Sequence, residues 1–427
     1  MSPSSTVAPV TCLGCGCGCD DLVVEVSGGR IVNVSPPCPV ARAWFGDGRV
    51  PTAIRRSGKD ATLEAAIADA AEVLSGATGR ALVVLAPEVS VQAQRAALAL
   101  ADLLRATVET VTSVPAAAGL LAAQRRGRTA ATLGEVRNRA DALLFWGVDP
   151  GGRYPRYWSR YGPEPAGTHV PDGRTGRTVF AVSIGRDRGP PGADVELALS
   201  PDEEIPALSV MRAVALGNSL GPLAPPLQEA ADIALRLTKA RYAVVIHEAE
   251  PGAEEARDGY RAEGLLGLAE ALNGPTRAAL SSLRAGGNRS GAEAALTWQT
   301  GYPMGVTFQP GYPQYAAARR GISVAAGAAA AILVVGAVGA LGDADSLAAA
   351  AGRVPVVVVG PRASEAVFPV RVAVDTGLAG IHEGGTAYRM DEVPLPLRPP
   401  LAADRTAVDV CAALLAAIRA RNAGGRT

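Results

Sequence analysis

A chain of 427 residues, 48% of them hydrophobic, is long enough for two or three domains with large cores. Its 41 basic residues balance 41 acidic ones, which argues against a general nucleic-acid or anionic-membrane partner. With three histidines in all and no Ser-His-Asp arrangement, P-loop or His-rich zinc site, hydrolase chemistry carried by this chain alone is not expected.

The first chemically distinctive stretch is CLGCGCGC over residues 12–19, followed by Asp20 and Asp21 and later by Cys38. Cys12, Cys15, Cys19 and Cys38 form a Cys-x2-Cys-x3-Cys-x18-Cys set. Four soft ligands of this kind suit an iron–sulfur cluster or zinc, and the intervening glycines permit the tight turns needed for convergence. Three readings stay open for the set: a four-iron (4Fe-4S) cluster, structural zinc, or a thiol loop without metal. Cys17 falls outside the spacing and reads as a bystander. The opening residues lack a charged and then apolar leader, so the chain is expected to be cytoplasmic, where clustered cysteines are more often metal ligands than disulfides.

Residues 22–26 and 31–34 alternate and are joined by Ser27, Gly28, Gly29 and Arg30, a β-hairpin signal that brings Cys38 back toward Cys19. Residues 1–55 thus predict a small Cys-rich module. From there the pattern is α/β. Helices are expected at 63–74 and 89–104, and strands at 81–86, 142–146, 178–183, 242–247, 332–335, 354–359 and 370–374, implying parallel sheets covered on both faces. The apolar stretch 322–340 reads as a small-residue helix or loop leading into a buried strand, not a membrane span. A last helix at 408–420 buries Cys411 as a core thiol. The expected domains are 1–55, a discontinuous Rossmann-like domain of 56–112 and 301–427, and an inserted Rossmann-like domain of 113–300. Ligands of such sheets gather at the carboxyl ends of strands, which singles out loops 147–161, 283–315 and 377–391.

Four blocks together resemble the family of formylmethanofuran dehydrogenase B subunits, and nearly the whole chain takes part. They are the cysteine set with Asp20 and Asp21; TLGEVRNRAD at 132–141 running into Phe145, Trp146 and Gly147, with Pro155, Arg156, Ser159, Arg160 and Tyr161; LRAGGN at 283–288 with LTWQTGYP at 296–303; and EGGTAYRMD at 383–391. The resemblance implies a shortened molybdopterin-oxidoreductase fold of the formate dehydrogenase/DMSO reductase kind, with a small iron–sulfur-type domain and two Rossmann-like α/β domains. It also implies a tungsten or molybdenum bis-pterin held through a Cys in a Ser-Val-Cys-His stretch. Here that stretch reads Ser113, Val114, Pro115, Ala116 and Ala117. Pro115 and Ala116 replace the expected Cys and His, so the soft ligand and the imidazole are both missing. Asp149 and Tyr154 stand where the family usually has Asn and His, and Arg284 is retained as a vestigial active-site residue.

This departure resembles the B subunit of the bacterial formyltransferase/hydrolase complex of tetrahydromethanopterin-linked one-carbon metabolism, in which a formyl group ends as formate. The resemblance implies sister subunits as partners (hydrolase A and C, formyltransferase D), no nucleic acid, no membrane, no molybdenum or tungsten pterin, and a redox-silent structural role. The alternatives are a working tungsten- or molybdenum-pterin dehydrogenase subunit, or an electron-transfer subunit using only the cluster. Arg156 and Arg284 are candidates for an anionic ligand or for salt bridges. His382 beside Glu383 is a candidate acid–base pair or a structural loop residue, and His169 and His247 read as a loop and a strand-end residue. Trp298, Tyr302, Phe308, Tyr312 and Tyr315 cannot form one helical stripe and read as either a packed loop or a subunit interface.

Overall fold

Unbroken apolar runs account for the centres of both main sheets. In the computed structural model, which describes residues 4–254, 258–316, 320–342 and 344–424, the strands Ala142–Trp146, Ala331–Val335 and Val356–Gly360 are buried along their whole length. That is the mark of parallel strands covered on both faces. The chain divides into two units, Met1–Thr112 with Gly286–Thr427, and Ser113–Ala285.

The first unit is built on a nine-stranded sheet. Its order is Gln314–Tyr315, Val306–Thr307, Thr107–Thr110, Ala81–Leu85, Ala331–Val335, Val356–Gly360, Val372–Asp375, Ile54–Arg56 and Lys59–Asp60. The five central strands run parallel, with Leu333 opposite both Val83 and Val357. The two strands at each end run antiparallel. Side chains alternate between two cores, as strand geometry requires. Val83, Leu85, Leu333 and Val357 face the helices Leu63–Gly76, Val91–Leu103, Arg289–Thr300 and Ala407–Gly424. Leu82, Val84, Ile332 and Val358 face Ile322–Ala328 and Ala344–Ala351. Thr62 and Ser90 start two of these helices by accepting from the amides of Ala65 and Ala93, at 3.2 Å each, which satisfies otherwise orphaned donors. The expected apolar stretch thus resolves into helix Ile322–Ala328 and strand Ala331–Val335. Among the described residues no helix is long and apolar enough to cross a membrane.

The same unit carries a three-stranded antiparallel sheet of Ser4–Val10, Leu22–Ser27 and Arg30–Ser35. Its hairpin turns through Gly28 and Gly29, both at positive φ, as the sequence anticipates. The strand Ser4–Val10 is not legible beforehand, since it is mostly exposed and carries a proline.

The second unit is a five-stranded parallel sheet in the order Val195–Leu199, Thr178–Ile184, Ala142–Trp146, Ala243–Glu248, Ala278–Leu283. The chain leaves Ala142–Trp146 in one direction and returns on its other side, so the strand order reverses there, the position at which such sheets present their ligand crevice. Arg177, buried in the loop before Thr178–Ile184, donates to the carbonyls of Ala140, Pro163, Pro165 and Arg137 and so ties down the segment that precedes that strand.

Two expected boundaries lie elsewhere. The return crossing falls at Gly286 and not at residue 301, because Ala292, Ala295 and Leu296 of the helix Arg289–Thr300 belong to the first unit's core. Residues 1–55 fall within the first unit and not apart from it.

Candidate functional site

The cysteine loop folds back on itself through short-range hydrogen bonds. The Cys12 amide donates to Cys19 O at 2.9 Å, and the Gly18 amide donates to Cys15 O at 3.3 Å across a tight turn that places Gly18 at positive φ. Cys38 caps the helix Pro39–Phe45 by position, with proline as its first residue. No disulfide links any of the four cysteines. Cys12, Cys17 and Cys19 are buried, while Cys15 and Cys38 are half-buried.

Neighbouring segments press closely on this loop. A Cβ on Gly286 would lie 2.2 Å from Leu13 O and 2.7 Å from Cys15 N, and the Gly287 amide donates to Leu13 O at 2.7 Å. The Met390 amide donates to Gly16 O at 3.0 Å. Arg389, locked by two 2.7 Å bonds to Asp391, packs its stem against Gly18. Two of the sequence blocks, 283–288 and 383–391, therefore converge on the third. Gly286 in particular is required by close backbone approach, since its Cα is all that fits.

The donor chemistry can be tested against a metal group. Burial is the main force raising the Cys12 thiol above its ordinary value. The Gly14 amide, 3.4 Å from its sulfur, opposes the rise, and charge on Cys15, Cys19 and Cys38 adds to it. A buried thiolate at Cys12 therefore needs a compensating cation. Among the described residues no three His, Cys, Asp or Glu side chains are gathered as tightly as one metal ion demands. A four-iron cluster makes a different demand, because each thiolate binds its own iron and the sulfurs stand further apart. The amide aimed at the Cys12 sulfur is the kind of N–H···S contact that such a thiolate accepts.

In the second unit the stretch 113–117, where the family resemblance implies a Ser-Val-Cys-His motif, forms the cap and first turn of the helix Val114–Arg126. Ser113 accepts from the Ala116 amide at 3.3 Å and donates to Ala249 O at 2.6 Å. Pro115 sits in the first turn, where its missing N–H costs nothing, and Ala116 is buried. Neither side chain has a soft donor or a transferable proton, so the residues present do not fit a tungsten or molybdenum ligand set at this position.

At the carboxyl end of Ala243–Glu248, a group of residues that the sequence patterns do not single out comes together. Glu248 accepts from the Tyr154 hydroxyl at 3.0 Å and from the amides of Ala249 and Glu250 at 3.1 Å each, with Arg153 3.3 Å away. Burial pushes its carboxyl up to about 7. Tyr154, at the family's histidine position, is itself wholly buried. The signal lay in Glu248 and Glu250 closing a central apolar strand, where charged residues are out of place in a core. Asp149, at the family's asparagine position, instead caps the short helix Pro150–Arg153 by accepting from the Gly151 amide at 2.9 Å.

The remaining candidates separate. Arg284 is buried just beyond the strand Ala278–Leu283, and Arg156 is half-buried before the short helix Tyr157–Arg160. His382 and Glu383 do not form a pair. His382 Nδ1 accepts from the Leu378 amide at 3.2 Å, so Nε2 carries the proton and donates to Gly48 O at 2.6 Å. Glu383 accepts from Ser90 Oγ at 2.6 Å and from the Ala407 amide at 3.0 Å. Both are structural ties within the first unit. His247 closes its strand, bonded to Ser282 Oγ at 2.8 Å and to Glu248 O at 3.2 Å, and burial lowers it to about 4. His169 lies in an exposed loop, its amide bonded to Asn138 O. The aromatic set divides: Tyr302 stacks on Tyr315 at 5.8 Å and Phe308 is buried, while Trp298 and Tyr312 are exposed, Trp298 beneath Arg95 at 4.7 Å.

No family model matches the chain. It is 30% identical over 410 residues to the B subunit of the tungsten-containing formylmethanofuran dehydrogenase 2 of Methanocaldococcus jannaschii, covering 92% of this chain and 93% of that protein. It is 29% identical over 408 residues to the B subunit of the enzyme of the same name from Methanococcus maripaludis, covering 91% and 92%. Among solved structures, a chain of the formyltransferase/hydrolase complex from Methylorubrum extorquens, crystallised with methylofuran, superposes with a TM-score of 0.69 at 24% identity, over 87% of this chain and all of that one. That structure shares the α/β fold, and on the strength of the curated relatives the chain belongs to the family of formylmethanofuran dehydrogenase B subunits.

Proposed function

We propose that this chain is the redox-silent B subunit of a formyltransferase/hydrolase complex, serving as scaffold for sister subunits that move a formyl group and release it as formate. The observation that carries the reading is the first turn of Val114–Arg126, where Pro115 and Ala116 stand in the stretch that the family resemblance implies would carry a metal-binding Cys and its neighbouring His. A tungsten or molybdenum centre needs a soft anionic donor there. The structural neighbour's membership of a formyltransferase/hydrolase assembly supports the choice of complex.

Cys12, Cys15, Cys19 and Cys38 would hold a four-iron cluster. When bound, such a group supplies one-electron chemistry or, without a redox partner, a cross-link that stabilises the loop. In the scaffold reading it acts as the latter. The chain's own contribution is to desolvate Cys12, direct the Gly14 amide at its sulfur and hold Cys38 at a helix start.

The test is anaerobic purification of the chain with whatever co-purifies, followed by elemental analysis and a viologen-coupled formate oxidation assay. Formyl-transferring and formyl-hydrolysing partners, iron near four per chain, and neither molybdenum nor tungsten are expected. Stoichiometric tungsten or molybdenum with viologen-linked turnover refutes the scaffold role.

A further inference from the structure

A cavity of about 370 Å³ lies in the first unit at the carboxyl end of the strand Val372–Asp375, the end at which parallel sheets take their ligands. Two arginines from different segments line it. Arg405, half-buried, donates through Nη1 to Thr52 O at 2.9 Å and to Asp375 O at 3.0 Å. Arg49, exposed and on the same segment as Thr52, donates through Nε to Asp47 at 2.5 Å, where Asp47 screens part of its charge. Each guanidinium is thus anchored at one nitrogen, and its other N–H groups meet no acceptor among the described residues. Of the two acidic residues in the lining, Asp375 is wholly buried and spends its carboxylate on the amides of Ala53 and Ser364 and on Ser364 Oγ. Asp404 is exposed and is left to oppose an incoming anion. Between these polar groups the wall is aliphatic, built from Val50, Leu401, Ala402 and Ala403.

We propose that this cavity binds a small aliphatic phosphate monoester, with the phosphate held between Arg49 and Arg405. A phosphate dianion offers three terminal oxygens, enough for forked N–H pairs from two guanidiniums, whereas the two oxygens of a carboxylate are satisfied by one fork. Its two negative charges also match the two cations. The cavity is larger than inorganic phosphate needs and lies at the small end of ligand sites, so the ester carries a short body. Among the described residues no Phe, Tyr or Trp lines the cavity. A nucleobase therefore finds no ring to stack on, while the aliphatic wall suits a body of a few carbons. The site depends neither on the cysteine ligands nor on the scaffold role.

The experiment titrates the full chain, with any partners that purify with it, by calorimetry at low ionic strength, where charge contacts are least screened. The probes are glycerol 3-phosphate, inorganic phosphate and acetate. Glycerol 3-phosphate is expected to fill a single site, more tightly than inorganic phosphate and far more tightly than acetate, and to slow hydrogen exchange in residues 48–52 and 401–405. Arg49→Gln is the diagnostic variant, because Arg405 also ties Thr52 to Asp375 and its loss would loosen the wall. That variant is expected to weaken binding about tenfold with no shift in melting temperature, since an exposed ion pair contributes little to stability. Asp404→Asn, which removes the opposing charge, is expected to tighten binding. Unchanged affinity in Arg49→Gln, acetate or inorganic phosphate binding as well as glycerol 3-phosphate, or protection confined to other segments overturns the proposal.

Discussion

Replacing Gly286 by alanine probes how the cysteine loop is held. The new Cβ would fall 2.2 Å from Leu13 O, 2.7 Å from Cys15 N and 2.8 Å from Cys15 C. All three are backbone atoms, so no side-chain rotation relieves the clash, and the loop must retreat by roughly 1 Å to restore van der Waals contact. Overpacking of this kind costs about 1–3 kcal/mol. The retreat also breaks the 2.7 Å bond from the Gly287 amide to Leu13 O, adding about 1–2 kcal/mol for a donor left without its acceptor. The sum, about 2–5 kcal/mol, lowers the melting temperature of the first unit by roughly 5–15 °C. Gly76→Ala is the control, because a Cβ there meets nothing within 4 Å and the site ends a helix, so a shift near zero is expected. The assay is thermal unfolding combined with the rate of Cys15 alkylation in the folded state, which should rise in Gly286→Ala alone. Equal melting and equal alkylation in Gly286→Ala and wild type would refute the close-approach reasoning.

Three further outcomes follow from the same contacts. Glu248 is raised from 4.5 to about 7 in the fold, so between those pH values the folded chain keeps a proton the unfolded chain has released, and stability falls as pH rises. The loss is about 3 kcal/mol by pH 8; Glu248→Gln should remove it, and a wild-type-minus-variant difference that is the same at pH 5 and pH 8 would count against the buried acid. Arg261 donates to both oxygens of Glu204, at 2.6 and 3.1 Å, in a site where Trp146 also donates to Glu204. Arg261→Met strands that carboxylate at a cost of about 3–5 kcal/mol, and adding Glu204→Gln should recover most of it in thermal melts of the double variant. His382→Ala leaves Gly48 O and the Leu378 amide without their side-chain partner, costing about 1–3 kcal/mol; hydrogen exchange at Leu378 should accelerate, and unchanged protection would show that the imidazole is not the tie.

Much of the fold was legible because burial on both sheet faces leaves an unbroken apolar run. Residues 81–86, 142–146, 332–335 and 354–359 announce their strands for that reason. Thr107–Thr110 escaped because its polar threonines and Glu109 are buried among hydrogen bonds from other segments, including the Gly321 amide at 3.0 Å. The domain return was misplaced by some fifteen residues for a related reason. The helix Arg289–Thr300 has an ordinary amphipathic pattern, and nothing local says which sheet it covers.

Residue identity and spacing alone carried the resemblance to the family, through four blocks spread over the chain, and the absence of any cysteine or histidine at 113–117, because these are covalent facts. They also established that four thiols could converge, since glycines and a hairpin set the chain's reach. The folded chain was needed to show that Gly286 presses on Leu13, that His382 and Glu383 turn to Gly48 and Ser90, and that Glu248 shares its carboxylate with Tyr154. Most of these contacts join residues far apart in the chain, and the forces in them, steric exclusion and desolvation, act through space and leave no local period for a sequence to display.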